Sequence, residues 1–357
     1  MKTAIFYGGA DIRVEAIETP RPGDGEVLVE VRAAGICGSD LHYYRGEDPW
    51  GSAIWPQRIG HEIAGVVVEV GAAVTTVAPG QRVAIEPMHL AGCGSCRLCR
   101  RGDYHLCPRR GLHRGERRAS AGFSEYDLAA ERNVFPLADE LPLEMAALAD
   151  VYACAVHAAH RAPLRPMDTA VVFGTGPIGL AVGQVARMQG CRQTLLVGRR
   201  DAALELGLAI GAADAGINSC RQDVMAAVLA ATGGWGADVV FECVGGSGEA
   251  LPHAVSAAAR GGVLVVLGAF HREVAVPYRE ANRRELDLRW SSSYSTWAGM
   301  REFQLALDLI AQRRVDAAPM VTHRFPLARI GEAFAAANDR ASSRAVKVMV
   351  EPAPTTA

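Results

Sequence analysis

The chain has 357 residues, half of them hydrophobic, with 38 glycines, few aromatics and a formal net charge of -2. That length exceeds one ordinary core and predicts two domains in an α/β protein rich in tight turns, while the near-neutral charge excludes a nucleic acid as the expected partner. No apolar run approaches the ~18 residues of a membrane span, and nine cysteines, an odd number, behind a start that leads straight into strand-like sequence, predict a reduced, cytoplasmic protein.

In chain order, short β-branched runs split by turn residues lie at 3–7, 12–17, 26–33, 65–70 and 82–85, the pattern of a mostly antiparallel β domain. A Cys- and Arg-rich excursion with little periodicity follows at about 92–118, suited to wrapping around metal. From residue 170 the rhythm becomes βαβ: strand 170–173, helix 177–189, strand 194–197, helix 201–210, strand 237–243, a helical stretch to 260 and strand 263–267. This predicts a doubly wound parallel sheet over 153–289. An amphipathic helix at 300–313 and an alternating strand at 345–350 then assign 290–357 to the first domain, 1–152.

Four cysteines, Cys93, Cys96, Cys99 and Cys107, are spaced x2, x2 and x7. Iron–sulfur runs of similar appearance have three residues before the last cysteine, so the spacing favours a closed, structural zinc site. Eight arginines between Arg97 and Arg118 also allow a nucleic-acid zinc module, but no aromatic stacking platform is interleaved with them, and a solvated basic edge accounts for them better. Cys37, His61 and Glu62 supply a thiolate, an imidazole and a carboxylate, the mixed set that an open catalytic zinc uses. Asp150 sits in the apolar run Ala147-Leu148-Ala149-Asp150-Val151, where a carboxylate needs a cation or a metal. Gly174, Gly176 and Gly179, with Pro177 and Ile178 between them, follow an apolar strand and open a helix, the context in which backbone N–H groups can cradle a pyrophosphate.

These motifs, GICGSDLHYY at 35–44, GHEIAGVVVEVG at 60–71, the cysteine cluster and VVFGTGPIG at 171–179, resemble the zinc-dependent medium-chain dehydrogenases, and within them the sorbitol (polyol) and threonine dehydrogenase branch. The resemblance covers nearly the whole chain. It implies a GroES-like catalytic domain, a Rossmann coenzyme domain, zinc between them, and a homodimer or homotetramer. It places Cys37, His61 and Asp150 around the catalytic zinc, with Glu62 either a direct ligand or a carboxylate behind one. It makes Ser39 and His42 a proton relay, adds Leu267, Gly268, Ser292 and Ser293 to the cofactor contacts, and puts Tyr43, Tyr44, His89 and Tyr294 around an alcohol or ketone substrate. Two departures bear on that substrate: Asp150-Val151 stands where the polyol branch has Glu-Pro, and Ser293-Tyr294 where it has Arg-Tyr. Losing an arginine that bridges hydroxyls argues for a smaller, more apolar or differently decorated secondary alcohol.

The implied reaction is hydride transfer between a secondary alcohol and a nicotinamide, with two zinc ions per subunit. An acid about 20 residues beyond the glycine loop would mark NAD(H). Here that position is Gly198, followed by Arg199 and Arg200, so NADP(H) is expected in preference. The rival readings are threonine-type amino-alcohol oxidation, towards which His89 points, and a non-catalytic NADPH- or nucleic-acid-binding protein on the same fold.

Overall fold

The computed structural model describes residues 1–51, 54–87, 90–113, 116–117 and 119–352; His89, Arg114 and Arg118 lie outside them. The chain divides into two compact units. The first comprises Met1–Asp150, Ser295–Gln312 and the chain from Val321 onward, and the second Val151–Tyr294 and Arg313–Met320.

In the first unit a hairpin of Lys2–Gly8 and Asp11–Ala16 accompanies a larger sheet. That sheet runs in the order Val321–Pro326, Lys347–Glu351, Glu26–Gly35, Glu62–Val70, Arg82–Ile85, Val134–Pro136, with Tyr126–Ala130 also pairing Glu26–Gly35. Glu26–Gly35 is buried along most of its length because it has neighbours on both edges and packing on both faces. Val29, Val31, Ile63, Ile85, Phe6, Phe123 and Phe334 form the core, with the Phe6 and Phe334 rings 5.1 Å apart edge to face. The last strand pairs antiparallel with Glu26–Gly35 but parallel with Val321–Pro326, to which helix Ile330–Asn338 connects it.

The second unit is built on six parallel strands in the order Ala215–Asn218, Gln193–Gly198, Thr169–Phe173, Ala237–Glu242, Ala258–Val266, Asp287–Trp290. This is the 3-2-1-4-5-6 order of a Rossmann sheet. All five residues of Thr169–Phe173 are buried, as an unbroken apolar run in a sheet covered on both faces requires. Its core joins Val171, Phe173, Leu195, Val240, Leu251 and Leu264.

Segment 290–357 does not go to the first unit as a block, as the sequence pattern suggests. Arg313–Met320 belongs to the second unit, held by hydrogen bonds that no periodicity reveals. The Gln184 amide accepts from Asp316 N at 2.6 Å and donates to Asp316 O at 3.3 Å, and the Tyr152 hydroxyl donates to Met320 Sδ at 3.6 Å. The helix expected at 300–313 is Glu302–Ala311, because a two-residue hairpin, Thr296–Trp297 with Met300–Arg301, occupies the approach to it. Among the described residues no helix is long and apolar enough to cross a membrane.

Candidate functional site

Strand pairing brings the first donor set together. Gly35 lies opposite Glu62 in the antiparallel ladder, so the residues just beyond each, Cys37 and His61, leave the same end of the sheet. Cys37 then caps helix Gly38–Tyr44, and the Asp40 carboxylate closes the turn by accepting from Cys37 N at 2.9 Å. Ligand atoms of Cys37, His61 and Glu62 all lie within 4.8 Å of one another. Asp150, second residue of helix Ala149–Arg161, places Oδ2 3.9 Å from His61 Nε2. On the other side of the ring, Asp40 Oδ1 is 3.7 Å from His61 Nδ1, the position from which a carboxylate orients a ligating imidazole.

Carboxylates and a thiol crowd the His61 ring, which favours positive charge on it. Burial pulls the His61 pKa down, yet Asp40, the Cys37 sulfur and Asp150 together outweigh it and hold the imidazole well above its usual value. Burial likewise raises Asp40 to about 6, against the pull of His61 and the Cys37 N–H. Glu62 is fully buried and faces two ways. Its oxygens accept from Lys347 Nζ at 2.7 and 2.6 Å, and Lys347 also donates to Ile36 O at 3.1 Å. Glu62 Oε2 lies so close over Gly35 that a Cβ there would come within 1.9 Å of it, so only glycine fits.

Ser39 and His42 are three apart on helix Gly38–Tyr44 and so share a face. Ser39 Oγ is enclosed with no hydrogen-bond partner among the described residues. His42 Nδ1 is 2.5 Å from Glu47 Oε2, which fixes the ring. Tyr43 packs its ring edge-on to Trp50 and Trp55, whereas Tyr44 lies against Phe334 on the core of the first unit. Tyr294, in the second unit, is fully enclosed, and Ser292 beside it is exposed.

The four cysteines of the lobe form the second donor set. Cys93 Sγ is 3.9 Å from Cys99 Sγ, and Cys96 Sγ is 3.8 Å from Cys107 Sγ. A disulfide would need about 2.05 Å, whereas a tetrahedron with Zn–S bonds of ~2.3 Å has edges of about 3.8 Å. Cys96 caps helix Arg97–Arg101 and accepts from Cys99 N, and Cys107 accepts from Cys93 N, both at 3.5 Å. Hydrogen bonds from Ser95 bring the Cys93 thiol down to about 5, while burial pushes Cys99 up to about 12. A dication is what would make all four thiolates. The lobe is tied to the rest of its unit by the Tyr104 hydroxyl, which donates to buried Glu86 at 2.5 Å; Arg301 pairs with the same carboxylate and stacks between the Tyr104 and Phe135 rings.

In the second unit the glycine loop turns tightly between strand Thr169–Phe173 and helix Pro177–Met188. Gly174 turns at φ +114°, a conformation that favours glycine, and its N–H donates to Val197 O at 2.8 Å. Gly176 caps helix Pro177–Met188 without any side-chain cap, which leaves the first N–H groups for an anion. Gly179 has the Gly174 carbonyl 2.0 Å from where a Cβ would stand, so the helix packs directly on the turn. Gly198 ends its strand, with Arg199 exposed and Arg200 half-buried beyond it. The Leu267 and Gly268 N–H groups donate to the Glu242 carbonyl at 2.8 and 3.1 Å. Buried Glu242 in turn accepts from Val244 N and Gly245 N, both at 2.9 Å, bracing that loop from inside. Ser293 is half-buried at φ +61°.

Sequence reasoning missed Asp40, Glu47, Lys347 and Glu242. Two of them left a signal. Asp40 stands three residues after the cap position Cys37, and Lys347 interrupts an apolar strand, where a lone cation demands a buried partner.

Residues 23–139 match the alcohol dehydrogenase GroES-like domain, and residues 177–312 the zinc-binding dehydrogenase family. The chain is 31% identical to a sorbitol dehydrogenase of Bacillus subtilis, covering 99% of this chain and 97% of that one. It is also 31% identical to an L-idonate 5-dehydrogenase of Vitis vinifera, over 97% and 93% respectively. Among solved structures, a zinc-binding dehydrogenase from Sinorhizobium meliloti bound to NADP aligns with TM-score 0.85 and 30% identity over 98% of this chain and 99% of that one.

Proposed function

The chain belongs to the zinc-dependent medium-chain alcohol dehydrogenase family, in its sorbitol (polyol) branch, and from that premise we propose that it interconverts a secondary alcohol and its ketone by hydride exchange with NADP(H) in preference to NAD(H). The observation that carries this reading is the convergence of Cys37, His61 and Glu62 within 4.8 Å, with Asp150 at the far ring nitrogen of His61. Cys37, His61 and Asp150 would hold a catalytic zinc, with Glu62 either joining them or staying on Lys347. A zinc ion bound there supplies Lewis acidity, lowering the pKa of an alcohol oxygen presented to it. Ser39 Oγ, enclosed and uncommitted, is placed to receive the alcohol proton, and His42, held by Glu47, to pass it on. Asp40 keeps the His61 ring turned.

The cofactor preference rests on Gly198, Arg199 and Arg200. The strand end carries no carboxylate to bond a ribose 2′-hydroxyl and two guanidiniums to meet a 2′-phosphate. A charged hydrogen bond contributes about 1.5–3 kcal/mol, so with one or two such bonds kcat/KM with NADP⁺ is expected to exceed that with NAD⁺ by roughly ten- to a thousandfold. An absorbance screen over polyols, aminocyclitols, hydroxy-amino acids and simple ketones, run with both cofactors, tests the whole reading. Faster turnover with NAD⁺ would remove the cofactor assignment, and absence of turnover on every compound would remove the enzymatic one.

The lobe cysteines are proposed to hold a second, structural zinc. Cys99→Ser should then lower the Tm and the zinc content to one ion per chain, because the lobe has little apolar packing of its own and a closed zinc site contributes folding free energy directly. A Cys99→Ser protein with unchanged Tm and two zinc ions would contradict this.

A further inference from the structure

We propose that Thr175, inside the glycine loop, keeps position 198 a glycine, and so excludes the carboxylate that an NAD(H) site needs there, by occupying the space that a side chain at position 198 would need. This rests on the NADP(H) reading above and adds a residue that the strand-end sequence does not reveal. Gly198 is in ordinary extended backbone, so no left-handed conformation demands a glycine there. Space demands it. A Cβ at Gly198 would lie 2.3 Å from Thr175 Cγ2, 3.0 Å from its Oγ1 and 3.2 Å from its Cβ. Thr175 is buried, and its β-branched side chain has few rotamers in which to retreat. Nor can the strand yield. The Gly198 carbonyl accepts from Ser219 N at 2.8 Å and from Ser219 Oγ at 3.3 Å, and Gly198 pairs with Asn218 in the ladder.

The nearest carboxylate does not replace the missing one. Asp201 accepts from Asn218 Nδ2 at 2.5 Å and pairs with Arg221 at 2.8 Å, so both its oxygens are committed. Arg199, Arg200 and Arg221 therefore set three guanidiniums against one carboxylate at this strand end. The loop and the strand end form one interlocked unit: an acid at position 198 requires a smaller residue at position 175, and neither substitution alone gives an NAD(H) site.

The test is a double-mutant cycle of Thr175→Ala and Gly198→Asp, read as NADH and NADPH dissociation constants by fluorescence titration and as Tm, in the zinc-loaded protein. Gly198→Asp alone should lower the Tm and weaken both cofactors. Thr175→Ala alone should leave the preference for NADPH in place. The double variant should bind NADH at least about tenfold more tightly than Gly198→Asp alone, since the charged hydrogen bond can then form. If Gly198→Asp alone is as stable as the parent and binds NADH as well as the double variant does, Thr175 has no such role. Gly198→Ala serves where the aspartate variant does not fold: it should lower the Tm in the parent and not in Thr175→Ala, and equal losses in both backgrounds overturn the proposal. A parent protein that binds NADH more tightly than NADPH would instead overturn the NADP(H) reading, while the Gly198→Ala comparison still judges the steric one.

Discussion

Cys37→Ala is expected to lower kcat by about a thousandfold or more, the loss that follows when a Lewis acid contributing several kcal/mol is removed from the reacting oxygen. The protein should stay folded. Cys37 stands at a strand-to-helix turn and is not part of the hydrophobic core, and the half of the cap in which the Asp40 carboxylate accepts from Cys37 N survives loss of the sulfur. NADPH binding should also persist, because the glycine loop and strand ends that would hold it belong to the second unit. Metal analysis should find the lobe zinc retained and one ion lost. A Cys37→Ala protein that keeps both ions and parental kcat would refute the assignment of this cluster.

The second large effect concerns stability. Lys347 and Glu62 are both almost wholly buried, and each satisfies the other. Lys347→Met leaves the Glu62 carboxylate charged and enclosed, and breaking a buried pair by removing one partner costs about 3–5 kcal/mol. The urea midpoint should fall accordingly. Adding Glu62→Gln should return much of the loss, because the unpaired charge is then gone. If Lys347→Met unfolds within about 0.5 kcal/mol of the parent, as a surface substitution does, the pair does not stabilise this unit.

The parallel βαβ sheet was legible because four of its six strands are apolar runs separated by glycine turns, a local signal, whereas the edge strands Ala215–Asn218 and Asp287–Trp290 lack such runs and were missed. The four cysteines were legible for the same reason, their spacing being confined to one short stretch. Lys347 left half a signal, a cation in an apolar strand, but its partner is 285 residues away and nothing near it announces a carboxylate. Thr175 escaped for a different reason. Reading the strand end as Gly198, Arg199 and Arg200 explains what is missing there, but only coordinates show that a neighbour's methyl group fills the place. The placement of Arg313–Met320 in the second unit likewise rests on Gln184 and Tyr152, whose partners lie across large sequence gaps.

The strand that supplies Lys347 has a consequence for how the protein is made. A nascent chain that has emerged as far as helix Glu302–Ala311 already carries Cys37, His61, Asp150 and the whole parallel sheet, yet the edge of Glu26–Gly35 beside Gly35 is bare and Glu62 has no cation. The parallel-sheet unit lacks only Arg313–Met320, while the first unit must wait for Lys347–Glu351 before its sheet can close. Ribosomes that stop before Lys347–Glu351, or proteases that clip it away, would thus release chains whose parallel sheet is nearly complete but whose Glu62 carboxylate lacks its partner. Such chains would be told apart by an exposed sheet edge, the feature that chaperones and aggregation both act on.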